Sequence, residues 1–218
     1  MGEDAAIRLR GRQAEARRND ERVLDAALEV LTRDPQAPMS SVAELAGVGQ
    51  ASLYRRYPSK EALLARVCEN GMGRVREAAR SALEAPGDPW VALSGFLRWY
   101  LESGTPQLAG LLGSFSPEEA LFDLARETNE LIQRLVERTA EAGRMRSDIS
   151  GGDLSVIVGR LSGLEGGDPE RDAALRERYL TLALQGLAQL DAPELPGRAP
   201  DPEELERPWR EAQRSLDS

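Results

Sequence analysis

A chain of 218 residues with net charge −9, no histidine and a single cysteine can hold one large domain, or a small one joined to a larger, with its own core. The missing histidine removes the commonest general base and transition-metal ligand, which argues against an enzyme; no catalytic residue, metal or cofactor is expected. The lone Cys68 excludes an internal disulfide framework, no apolar run approaches the roughly 18 residues of a membrane helix, and the polar N-terminus lacks a signal-peptide core, so a cytoplasmic protein without a membrane partner is expected.

Charge is unevenly spread: residues 1–80 carry 14 basic and 12 acidic side chains, so the acidity lies in the remainder. The N-terminal third can therefore approach phosphate, while the acidic remainder weakens nonspecific coating of DNA. All basic residues except Lys60 are arginine. Ala, Leu, Glu and Arg dominate, aromatics make up 5%, and no strand alternation persists. The composition predicts an all-α fold of about nine helices.

Residues 1–18, with Arg8, Arg10, Arg12, Arg17 and Arg18, read as a flexible basic arm. It is either a disordered terminus or an arm that adds phosphate attraction or enters a minor groove. The first helix is expected from Asn19 or Asp20, either able to cap it, to Thr32, with Leu24, Ala27, Leu28 and Leu31 on one face. The stretch from Arg33 to Pro38 breaks it. A short helix from about Met39 to Ala46 turns Val42, Leu45 and Ala46 inward, and Gly47 takes the left-handed position that closes it. Another spans about Gln50 to Tyr57. Pro58 stops it, Ser59 caps the next, and that helix runs from Lys60 to about Leu83 with Leu63, Leu64, Val67, Gly71 and Val75 inward. Further helices are expected near 90–103, 106–114, 118–142, 153–164 and 169–191, the last opened by Asp168-Pro169. Pro193, Pro196, Pro200 and Pro202 mark an extended tail before a short helix ending near Arg214.

Two short helices joined by Gly47-Val48-Gly49 and supported by an amphipathic helix form a helix-turn-helix. Glycine permits the sharp reversal, Val48 fills the space between the helices, and the second helix presents its N-terminal side chains to base edges. The stretch Val42-Ala43-Glu44-Leu45-Ala46-Gly47-Val48-Gly49-Gln50-Ala51-Ser52-Leu53-Tyr54-Arg55-Arg56-Tyr57-Pro58-Ser59-Lys60-Glu61-Ala62-Leu63-Leu64 closely resembles the signature of the tetracycline-repressor family, and the likeness begins at about Asp20. The resemblance implies a transcription regulator that binds a double-stranded operator as a homodimer. Residue by residue, it implies DNA contacts from Ser40, Ser41, Gln50, Ala51, Ser52, Tyr54, Arg55, Arg56 and Lys60. Lys60 and Tyr54 would hold phosphates, Gln50 and Arg55 would read bases, Arg56 would add charge facing the DNA backbone, and Leu53 and Tyr57 would pack. Three positions depart from the signature: Gly49 replaces a capping serine, Ala51 a common glycine, and Arg56 an aromatic or histidine.

The resulting plan is an arm at 1–18, a three-helix helix-turn-helix DNA-binding domain at 19–67, a larger helical ligand-binding and dimerisation domain at 68–191, and a Pro-rich tail at 192–218. Two stripes suit a four-helix seam across a twofold axis: Leu154, Ile157, Val158, Leu161 and Leu164, then Tyr179, Leu182, Ala183, Gly186, Leu187 and Leu190. Gly159, Gly163, Ala183 and Gly186 would permit close approach; burial of part of each stripe within one subunit is the alternative. Phe96, Trp99, Tyr100, Leu111, Phe115 and Phe122 are the candidate lining of a pocket for an apolar or aromatic effector, with plain core packing as the alternative. Cys68 reads as a small buried hydrophobe rather than a redox sensor. The expected function is a ligand-responsive repressor on a pseudopalindromic operator. The competing reading is a constitutive DNA-binding protein or activator without a small-molecule effector.

Overall fold

A computed structural model describes residues 3–111 and 114–216, without the side chains of residues 3–14, 16, 17 and 216. Among the described residues the chain forms nine α-helices, one 3-10 segment and no strand. It divides into two units, residues 1–67 and 68–218.

In the first unit α1 spans Glu3–Arg33, α2 Met39–Ala46 and α3 Gln50–Arg56, and α4 (Lys60–Glu84) begins there. The backbone from Glu3 to Arg18, expected as a flexible arm, is helical and continuous with the rest of α1. This stretch is mostly Ala, Arg, Glu, Gln and Leu, all strong helix formers, with Gly11 its weakest position. The side chains of Arg8, Arg10, Arg12 and Arg17 lie outside the described residues. Asn19 and Asp20, expected as caps, therefore sit inside the helix. After α1, Pro35 has no N–H to continue the ladder, and the Asp34 carboxylate accepts from the Gln36 N–H at 2.9 Å to form a turn.

Gly47 adopts φ +66°, and the Val48 N–H returns to the Ala43 carbonyl at 2.9 Å, satisfying a carbonyl at the end of α2. Gly49 gives α3 no side-chain cap, whereas Ser59 Oγ accepts from the Ala62 N–H at 3.2 Å in the first turn of α4. The core joins Val23, Leu24, Ala27 and Leu31 to Val42, Ala43, Leu53, Tyr57, Leu63 and Leu64. Leu31, Val42 and Leu63 are wholly buried; each such side chain contributes about 1.5–3 kcal/mol. Leu45, expected inward, is 51% exposed. The buried stripe of α2 runs through Met39, Val42, Ala43 and Ala46, the i, i+3, i+4, i+7 face, and Leu45 falls off it.

The second unit contains the rest of α4, then α5 (Pro89–Glu102), the 3-10 segment Thr105–Leu111, α6 (Glu119–Glu141), α7 (Gly151–Ser162), α8 (Pro169–Leu187) and α9 (Pro202–Leu216). Asp88 accepts from the Trp90 N–H ahead of Pro89, Ser150 and Asp153 form a capping box, and Asp168 caps α8 ahead of Pro169. Arg138 donates to the Leu83 and Ala85 carbonyls at 2.6 and 2.8 Å, closing the C-terminal end of α4. The helix expected near 106–114 is the 3-10 segment instead, entered through Gly104 at φ +72°. α8 stops at Leu187 rather than Asp191 because the Arg146 N–H takes the Leu187 carbonyl. Val75, Leu93, Leu97, Leu135, Val136, Leu180 and Leu184 pack with Leu154, Val158 and Leu187, so part of both expected seam stripes lies in the subunit's own core. The tail ends in α9, which packs against α6.

Candidate nucleic-acid interface and cavity

The alternation of inward and outward residues on α3 builds the first candidate site. Leu53 and Tyr57, four apart, are 2% and 4% exposed and dock the helix. That leaves Gln50, Ala51, Ser52, Tyr54, Arg55 and Arg56 on its open face. Lys60, the first residue of α4, is half-buried, as are Ser40 and Ser41 in the first turn of α2.

Arg56 does not project as a free cation. Its Nε lies 2.5 Å from Asp20 Oδ1, and the Tyr57 hydroxyl donates to the same carboxylate oxygen. Asp20 thus ties α1 to the end of α3. Burial, together with donation to Asp20, holds the Tyr57 phenol above its ordinary pKa. Arg56, expected to face the DNA backbone, is 52% exposed and shares its charge with Asp20. No sequence signal pairs residues 36 positions apart. Arg18 and Arg22 of α1 share an open groove with the Gly47–Gly49 turn and Ser52. Arg22 was not among the expected contacts, although its spacing of four from Arg18 places both on one helix face.

The second candidate site is a cavity of about 270 Å³ inside the second unit. Cys68 and Met72 of α4 line it, with Tyr100, Leu108, Leu121, Phe122, Ala125, Asn129, Ile132, Ser155, Val156, Leu205, Glu206 and Trp209 among the other walls. Of the six expected lining residues, the structure places Tyr100 and Phe122 there. Phe96 stacks on Trp99 and Tyr100 at centroid distances of 6.5 and 5.7 Å and is buried with the core. Leu111 is buried away from the lining, and Phe115 meets Trp209 edge-on at 6.3 Å behind the wall. The aromatic cluster of the sequence thus supplies two walls of a cavity, but the clustering does not say which rings face the space. The residues of α6 were legible as a helical stripe; those of α9 had no signal placing them.

Burial pushes the Tyr100 phenol and the Cys68 thiol up to about 12. Among the described residues Glu206 is the one charged residue in the lining, and it pairs with Arg126 at 3.3 Å and Arg210 at 2.8 Å. Val156, at the cavity, is 42% exposed, and Tyr179, Leu182 and Leu190, outside the lining, are 44–55% exposed. Among the described residues no group of three His, Cys, Asp or Glu is placed to hold a metal, and no helix is long and apolar enough to cross a membrane.

Residues 23–67 match the family model described as bacterial regulatory proteins, tetR family, and residues 88–189 match that of the transcriptional regulator SbtR-like C-terminal domain. α9 lies beyond both stretches. Among solved structures, a TetR transcriptional regulator from Streptomyces coelicolor is 27% identical, with TM-score 0.60 over 79% of this chain and 99% of its own. A TetR regulator from Mycobacterium vanbaalenii is 26% identical, with TM-score 0.60 over 81% and 98%. The TetR-like regulator LfrR from Mycobacterium smegmatis, solved with proflavine, shares the fold at 20% identity and TM-score 0.56 over 81% and 99%. A search of curated proteins finds no match. Both halves of the chain thus lead to one place, and the chain belongs to the TetR family of bacterial transcription regulators, DNA-binding proteins that are not enzymes.

Proposed function

We propose that this regulator is a homodimeric repressor that binds a pseudopalindromic operator and releases it when a small apolar or aromatic molecule enters the cavity. One observation carries the reading: α4 is a single helix that starts at Lys60 beside α3 and supplies Cys68 and Met72 to the cavity lining. A ligand that shifts α4 acts on a residue assigned to phosphate contact. In this reading Lys60 and Tyr54 hold phosphates, Gln50 and Arg55 read base edges, and Ser40, Ser41, Ala51 and Ser52 border the contact. Arg18 and Arg22 join them as phosphate contacts. The exposed Val156, Tyr179, Leu182 and Leu190, with Gly159 and Gly186, supply the twofold seam. The proflavine bound to LfrR supports a small-molecule effector for the fold.

Two recognition helices must sit about 34–36 Å apart, or a multiple of that, to enter successive major grooves. A ligand acts only through its differential affinity for the spacings that bind and do not bind DNA. Typical coupling of about 1–3 kcal/mol releases DNA when the free dimer is already near balance. The test is selection of genomic fragments by the full-length protein, followed by calorimetric titration of a cavity ligand with and without the selected operator. Pseudopalindromic sites and a weaker ligand affinity on operator are expected. Equal ligand affinities in the two titrations would refute ligand-controlled release.

A further inference from the structure

α9 forms one side of the cavity although it follows a proline-rich segment that could have hung free. We propose that α9 is a built-in wall of the effector site and restricts it to neutral, largely apolar ligands. The proposal rests on reading the cavity as the effector site.

The segment leading to α9 is fastened by polar contacts on both sides. Arg146 Nη2 donates to the Pro193 carbonyl at 2.6 Å, and Asp148 Oδ2 accepts from the Leu195 N–H at 2.8 Å. Gly152 at the start of α7 leaves room for the chain to pass; a Cβ there would stand 2.6 Å from the Pro200 carbonyl oxygen. α9 itself is held along its length. Glu206 bridges Arg126 and Arg210, and Arg210 also reaches Glu119 at 3.4 Å. The Arg210 guanidinium lies 4.1 Å from the Phe122 ring centroid, and Gln213 Nε2 donates to the Pro117 carbonyl at 3.0 Å. Contacts of this number and variety fix a helix against α6 and leave Leu205, Glu206 and Trp209 facing the cavity.

The electrostatics set the ligand class. Two arginines already compensate Glu206, and among the described residues no cation lines the cavity to receive an anion. A cationic ligand would have to take Glu206 from both arginines; an anionic one would enter beside a carboxylate, out of water and without a partner, which is costly. Neutral polar groups are better served. Among the described residues the Tyr100 hydroxyl and the Asn129 amide make no side-chain hydrogen bond, whereas Thr128 and Ser155 already donate to the Leu124 and Gly151 carbonyls. They can receive one carbonyl or hydroxyl of an otherwise apolar molecule.

The test uses full-length protein and a matched dye pair, neutral N-phenyl-1-naphthylamine and its sulfonated counterpart 1-anilinonaphthalene-8-sulfonate, followed by fluorescence titration. The neutral dye should bind saturably and at least about tenfold more tightly than the sulfonate, and Ala125→Trp, which fills the cavity, should abolish it. Trp209→Ala should weaken the neutral dye about tenfold or more. Gly152→Ala, outside the lining, should weaken it too by displacing Pro200, with helix content unchanged by circular dichroism. Failure of the neutral dye to bind, or binding that survives Ala125→Trp, overturns the cavity as effector site. Loss with Ala125→Trp but not with Trp209→Ala and Gly152→Ala leaves the cavity standing and removes α9 as its wall. Equal affinity for the two dyes overturns the neutral-ligand assignment.

Discussion

Replacing Tyr57 by phenylalanine tests the tie between α1 and α3. The ring is 4% exposed and stays in place; the change deletes one donor to Asp20. A hydrogen bond to a charged group contributes about 1.5–3 kcal/mol. The Asp20 side chain is 16% exposed and keeps its Arg56 partner, so the carboxylate is not abandoned. The loss should therefore fall at the lower end, about 1.5 kcal/mol, or roughly tenfold in the opening equilibrium. Asp20→Ala should cost more, about 2–3 kcal/mol, because it leaves the Tyr57 hydroxyl buried and unsatisfied. Arg56→Ala should cost less, at most about 1 kcal/mol, since that side chain is 52% exposed and its pairing is screened. Two units can unfold separately, so a single melting curve is a poor readout. Native-state hydrogen exchange at the Leu53 and Tyr57 amides reports the tie directly. Operator affinity should fall in the same order, because a loosened α3 must be re-ordered on binding. If Tyr57→Phe lowers protection by less than about 0.5 kcal/mol, or Arg56→Ala costs more than Tyr57→Phe, the account of the tie is wrong.

Lys60→Ala and Tyr54→Phe should weaken matched and mismatched operators about equally, with Lys60→Ala reducing the salt slope of binding by about 1, while changes at Gln50 or Arg55 alter sequence preference. A salt slope left unchanged by Lys60→Ala removes its phosphate contact. Gly47→Ala should destabilise the first unit by about 1–2 kcal/mol and Gly47→Asn by less: φ is +66° and a Cβ would meet nothing within 4 Å, so the cost is backbone strain alone. Denaturant midpoints that do not separate the two variants refute this. Stability should fall at high pH. The Cys68 and Tyr100 pKa values rise from 9.0 and 10.0 to about 12 on folding, so their contribution is full below pH 9 and lost as pH climbs towards 12. Cys68→Ala and Tyr100→Phe should flatten that decline in pH-dependent denaturation. The same burial should leave Cys68, 3% exposed, unreactive to thiol reagents at pH 8 until the protein unfolds; fast labelling of the native chain contradicts it.

Local chemistry made the helix-turn-helix readable. Gly47 between two apolar stripes, Pro58 as a stop and Ser59 as a cap each act within a few residues, and the structure places the left-handed turn and the Ser59 bond at these positions. Asp168-Pro169 opened α8 for the same reason. The composition determined an all-helical chain because strong helix formers fill it, and the same residue types make 3–18 helical despite their run of arginine charge. Only the tertiary structure decided what depends on which helices meet. It put Phe96 in the core with Trp99 packed against it, left Tyr100 and Phe122 at the cavity, and divided the two expected dimer stripes between core and surface. It moved Asp20 from presumed cap to the tie holding Arg56 and Tyr57. It also brought Trp209 to the same cavity as Tyr100 and Cys68, positions more than 100 residues distant in the chain. Helical periodicity says which residues share a face but not which neighbour covers it, and a cavity is defined by what those neighbours leave unfilled.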